Sequence, residues 1–80
     1  MNPRLVKQAV AFAAQFSEQN NERIVVLVNE QNETTEVRPY LGDNFSYEQF
    51  LNAIIINFSY GKKFMDIDSI NSIHCYKQKI

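Results

Sequence analysis

The chain has 80 residues, a formal net charge of −1, 45% hydrophobic residues and 21% charged residues. This composition excludes a disordered chain and lacks the basic surplus with which a dedicated nucleic-acid binder neutralises phosphates. The length leaves room for a single domain, residues 1–80.

The first element in chain order reads as a helix from Pro3 to Gln19. Asn2 suits the N-cap, and Pro3 suits the first helical position, where a missing N–H costs nothing. Leu5, Val6, Ala9, Phe12, Ala13 and Phe16 fall on one side, and Arg4, Lys7, Gln8, Gln15 and Glu18 on the other. Asn20-Asn21 is the expected stop. The helix charges oppose its dipole, with Arg4 and Lys7 at the positive end and Glu18 at the negative end.

Arg23 to Val28 contains five successive aliphatic residues, which predicts a central strand covered on both faces. Glu30-Gln31-Asn32-Glu33 supplies a turn and Thr34 to Tyr40 a second strand. Pairing Val28 with Thr35, Leu27 with Glu36 and Val26 with Val37 puts Ile24, Val26, Val28, Thr35 and Val37 on one face. Pro39 lacks an N–H and marks the second strand as an edge.

Ser46-Tyr47-Glu48-Gln49 matches a capping box, and Phe45 with Phe50 matches a hydrophobic staple. A second helix is therefore expected from Ser46 to a stop at Gly61, with Tyr47, Phe50, Leu51, Ile54 and Phe58 as its buried stripe. The β-branched Ile54-Ile55-Ile56 is the competing signal, for a strand. Phe64 to Ser69 reads as irregular and Ile70 to Lys77 as a third strand, with Ile73 and Cys75 inward and His74 and Tyr76 outward. The expected fold is α+β: a two-layer α-β-β-α-β arrangement, with a three-stranded antiparallel sheet in the order 2-1-3 and both helices on the Val26–Val37 face.

Catalytic chemistry is sparse. His74 and Cys75 are the only residues of their kinds, and neighbours on a strand point to opposite faces, so they form no dyad. Asp66-Ile67-Asp68-Ser69 opens like a calcium loop but lacks the later glycine and glutamate, so no metal or other cofactor is expected. A lone cysteine excludes an intramolecular disulfide and points to a reducing compartment. No apolar run approaches the roughly 20 residues of a membrane span, and no signal peptide is visible, so a cytoplasmic protein is expected.

Charge is segregated. Glu18, Glu22, Glu30, Glu33, Glu36, Asp43 and Glu48 cluster in the middle of the chain, where only Arg23 and Arg38 oppose them. Glu30, Glu33 and Glu36 make the hairpin an acidic projection suited to a basic partner surface. On the open sheet face, Val25 and Leu27 lie among Arg38, His74 and Tyr76, a second candidate surface for a partner or for self-association through the sheet. The expected function is a non-enzymatic, protein-binding regulator or inhibitor that occludes a partner, of the kind phages and mobile elements direct at host nucleic-acid-handling complexes. The alternatives are a single-stranded nucleic-acid-binding module, with Tyr76, His74 and Tyr40 as a stacking platform beside Arg23 and Arg38, and a structural homo-oligomer subunit.

Overall fold

A computed structural model describes residues 1–20 and 23–78, with backbone alone for 17–20. The second half of the expected helix stop, Asn21, and the charges of Glu18 and Glu22 lie outside that description. The elements run α1 (Pro3–Asn20), β1 (Ile24–Glu30), β2 (Thr34–Val37), β3 (Asn44–Glu48), β4 (Ala53–Phe58), β5 (Gly61–Asp66) and β6 (Ile70–Lys77). Short 3-10 turns at Pro39–Leu41 and Ile67–Ser69 precede β3 and β6. The fold is α+β, with one helix and two three-stranded antiparallel sheets ordered β2-β1-β6 and β3-β4-β5.

The start of α1 is capped as its residues dictate. Asn2 Oδ1 accepts from the Arg4 N–H at 2.8 Å and the Asn2 carbonyl accepts from the Val6 N–H at 3.0 Å, which satisfies donors a helix start leaves open. Its buried line is narrower than expected. Val6 and Ala13 are fully buried, whereas Leu5 and Phe12 stay half exposed, because α1 packs along the side of the molecule against β3, β1 and β6.

The first sheet matches the expected register. Val26 pairs with Val37, Leu27 with Glu36 and Val28 with Thr35. On the other side of β1, Val25 pairs with Tyr76, Val26 with Cys75 and Leu27 with His74. The order 2-1-3 expected for three strands is this β2-β1-β6 sheet.

The second helix is absent. Residues 44–66 form a β-meander instead, in which Phe45 pairs with Ile56, Tyr47 with Ile54, and Ile54 in turn with Met65. Ser46 is therefore an exposed strand residue and caps nothing. Two local signals compete here, and the strand signal wins. Asn44-Phe45-Ser46-Tyr47-Glu48 alternates polar and apolar with a period of two, and Ile54-Ile55-Ile56 is β-branched. The sheet then buries Ile54, Ile56 and Met65 against Val26, Val28 and Val37, with Val6, Ala13, Ile67 and Ile70 completing the cluster.

The two meander connections explain their residues. Asn52 closes the Glu48–Ala53 hairpin with φ 52, a left-handed conformation that asparagine tolerates. Gly61, expected to stop a helix, opens β5 after the tight Ser59-Tyr60 turn with φ 158. Phe64 to Ser69, expected to be irregular, supplies half of β5 and the 3-10 turn, where Asp66 Oδ1 accepts from the Asp68 N–H at 2.9 Å.

The core assignment is measurable by urea unfolding. Ile54→Ala should cost about 2–5 kcal/mol, as large-to-small core changes do. Ser46→Ala should stay within about 0.5 kcal/mol, the range for exposed sites without a cap.

Candidate partner-binding surface

The 3-10 turn Ile67–Ser69 gathers both hairpin tips at one end of the molecule. The Ile67 N–H donates to the Asn52 carbonyl at 3.2 Å, which ties the turn to the β3–β4 loop. The Ser69 hydroxyl lies 3.0 Å from Glu30 Oε2, which ties it to the β1–β2 turn. Glu30, Glu33, Glu48, Asp66 and Asp68 therefore share this end. Opposing them are Lys63, bound to Glu33 at 2.8 Å, the Met1 ammonium on the Ile67 carbonyl, and Arg4 at the start of α1. A shallow acidic recess between Glu30, Glu33, Asp68 and Ser69 occupies part of it. Among the described residues the acids do not come together as a metal-binding group.

Phe50 and Leu51 project from the same end. Phe50 is 97% exposed and Leu51 59%, although the expected second helix would have buried both. The loop that carries them is braced. The Phe50 N–H donates to Glu48 Oε1 at 3.2 Å and the Asn52 N–H to the Gln49 carbonyl at 3.3 Å. Glu48 and Asp66 flank Ala53 in register on adjacent strands, so carboxylates stand directly behind the apolar tip.

The residues read from sequence as partner-binding separate into two places. Glu33 reaches the second sheet through Lys63, Glu30 turns to Ser69, and alternation along β2 sends Glu36 to the outer face. The three acids are thus not one projection. Glu33 holds Lys63, whose ammonium also donates to the buried Thr35 hydroxyl at 2.9 Å, and Glu36 pairs with Arg38. The alternation of β2 already carried part of this separation, since Glu36 lies between the inward Thr35 and Val37.

Leu27, Glu36, Arg38, His74 and Tyr76 share the outer face of the first sheet. The expected exposed pair Val25–Leu27 is corrected there. Val25 is 1% exposed and Leu27 half-buried. The 3-10 turn after β2 brings Tyr40 back over the end of β1. Its ring lies 5.7 Å from the Arg23 guanidinium carbon, and its hydroxyl lies 2.8 Å from Gln78 Oε1. Together with Tyr76, the cross-strand neighbour of Val25, this group closes over the valine.

His74 and Cys75 diverge on β6, with His74 exposed and Cys75 packed on the core. Burial pushes the Cys75 thiol pKa up, away from the thiolate form that nucleophilic chemistry needs.

Between the edges of β2 and β5 lies an open groove of about 760 Å³. Tyr60, largely exposed, stacks on Phe58 at its rim with ring centroids 5.0 Å apart. Phe50, Leu51 and Tyr60 are among the exposed residues that sequence reasoning missed. The signal that could have found the first two was the period-two pattern of residues 44–48, which ends the strand just before them.

Comparison with known protein families, with curated proteins and with solved structures finds nothing that matches this chain.

Cys75 offers a direct check on the β6 geometry. At pH 8, iodoacetamide should alkylate the folded protein at least about tenfold more slowly than the urea-unfolded chain, because thiolate and access are both reduced. The rate should climb as the pH rises beyond the ordinary thiol range. Equal rates at pH 8 would place Cys75 on the surface.

Proposed function

We propose that this chain is a non-enzymatic regulator that binds a partner protein through its acidic end and acts by occluding it. The reading rests on one observation, the near-complete exposure of Phe50 on a hydrogen-bonded loop with carboxylates behind it. Leaving a phenylalanine in water forgoes roughly 1.5–3 kcal/mol of burial. A braced loop presents the ring with little ordering cost left for binding, which is the property of an interface anchor. The surrounding acids favour a pocket with a basic rim, since complementary charge raises the encounter rate and fixes orientation. They also disfavour an anionic lipid surface as the occupant. A nucleic-acid-handling protein offers basic surface of this kind, and phage or mobile-element regulators of such complexes are the class that best suits the reading.

The test compares wild-type, Phe50→Ser and Glu30→Gln/Glu33→Gln/Glu48→Gln baits in extracts of the native host, followed by titration of the purified captured protein. Phe50→Ser should leave stability within about 0.5 kcal/mol and weaken binding by about 2 kcal/mol or more, chiefly through faster dissociation. The glutamine variant should slow association and flatten its salt dependence. A captured partner that binds Phe50→Ser as tightly as wild type overturns the reading.

A second reading is favoured by the outer face of the first sheet, where Tyr40, Arg23, His74 and Tyr76 lie close together. Aromatic rings beside cations suit single-stranded nucleic acid. Glu36 on the same face, and its hold on Arg38, work against it. Titration with single-stranded RNA and DNA near 0.15 M salt, where surface charge is partly screened, should give weak binding at most. Submicromolar binding lost in Tyr76→Ala would put this reading first.

A further inference from the structure

We infer that α1 is the contact between two copies of this chain, packed antiparallel about a two-fold axis that passes between Val10 and Ala11. The inference is independent of the acidic end and starts from exposed residues on the helix. Leu5 is 53% and Phe12 58% exposed. With Ala9 and Phe16 they follow the spacing four, three, four, which is the seam of two packed helices and lies beside the Val6–Ala13 line that faces the core. Phe12 stacks on Phe16 with ring centroids 5.8 Å apart, so the aromatic part of the seam is preassembled.

Three properties suit a second copy rather than a different partner. The seam is self-complementary in size. An antiparallel pair centred between residues 10 and 11 sets Phe12 against the partner copy's small Ala9, and Leu5 against its Phe16. The seam is also uncharged. No Asp, Glu, Lys or Arg occurs from Gln8 to Phe16, so two identical faces meet without like-charge repulsion. Finally, α1 has no acid in its first turn and no base in its last, so nothing on the helix itself offsets its dipole. Antiparallel pairing sets the amide end of each helix beside the carbonyl end of the other, and Arg4 beside that carbonyl end. Each copy thereby brings a cation to the carbonyl end of the other, where the helix has none of its own.

The arrangement has a consequence for the acidic end. The helix start sits beside the Ile67–Ser69 turn, where Met1 donates to the Ile67 carbonyl at 2.6 Å. Antiparallel helices therefore place the two acidic ends at opposite ends of the dimer, free for two partners or two sites on one partner.

Sedimentation velocity of the full chain tests the inference, over about 1 µM to about 1 mM because a one-helix seam lies at the small end of stable interfaces. The mass should rise with concentration from 9.3 kDa towards twice that value. Phe12→Glu should remain monomeric throughout with an unchanged far-ultraviolet spectrum, since Phe12 is largely in water. Phe64→Glu and His74→Glu, on the outer faces of the two sheets, should associate as wild type does. Ala9→Lys should be impaired alone, yet an equimolar mixture with Phe12→Glu should recover association, because antiparallel pairing brings the new lysine against the new glutamate. A wild-type chain that stays monomeric at the highest concentration, or association that survives Phe12→Glu, overturns the inference. So does association lost instead in a sheet-face variant, and a mixture that fails to recover overturns the antiparallel register.

Discussion

β1 has no polar face to give to water. Ile24, Val25, Val26 and Val28 are all buried, three on one side of the alternation and Val25 on the other, and a strand of that kind must be covered twice. A single helix can shield only part of such a sheet, because its apolar stripe is narrow. The second sheet exists to complete the cover, and its own inner residues Ile54, Ile56 and Met65 gain the same shelter in return. Burial on this scale is the main favourable term for so short a chain.

The opposite face of β1 is closed by different means. There the cover is a stack of Tyr40 on Arg23, pinned to Gln78, with Tyr76 alongside. Rings and a guanidinium can hide an aliphatic side chain while keeping their polar atoms in water. The same side chains that resemble a stacking platform for bases are thus also structural, and their polar groups are already partly engaged. By contrast, Phe50 and Leu51 satisfy no structural need in the described residues, which is why the functional proposal falls on them.

Polar contacts between the layers, and at the turn that joins them, set how the sheets sit on one another. Lys63 reaches from β5 to Glu33 and to the buried hydroxyl of Thr35. Ser69 bridges towards Glu30, and Asn52 receives Ile67. Exposed ion pairs contribute little energy by themselves. Their effect here is on arrangement: they align the two hairpins so that acids from distant parts of the chain share one end. Glu30, Glu33 and Glu48 of the acidic middle segment share that end with Asp66 and Asp68 from outside it, while Glu36 turns away to Arg38.

Period and pairing were legible wherever one local signal stood alone. The cap at Asn2, the aliphatic run of β1, the β1–β2 register and the sidedness of Ile70–Lys77 all follow from residue type and alternation, because side-chain direction is set by backbone geometry. Residues 44–61 carried two conflicting signals, a capping box and a β-branched run, and local preference differs too little between them to choose. The choice was made by the need to cover β1, a contact with residues distant in the chain. That choice also decided the candidate site. In a helix, Phe50 and Leu51 lie on the buried stripe, whereas between two strands they fall on the turn and face water. Burial of Val25 was likewise invisible locally, since Tyr40 and Gln78 are brought to that end of β1 only by tertiary folding. The sequence by itself determined which segments were apolar and how each would alternate, because those properties are local. The tertiary structure alone decided which apolar residues remained outside, because burial depends on what else is available to cover them.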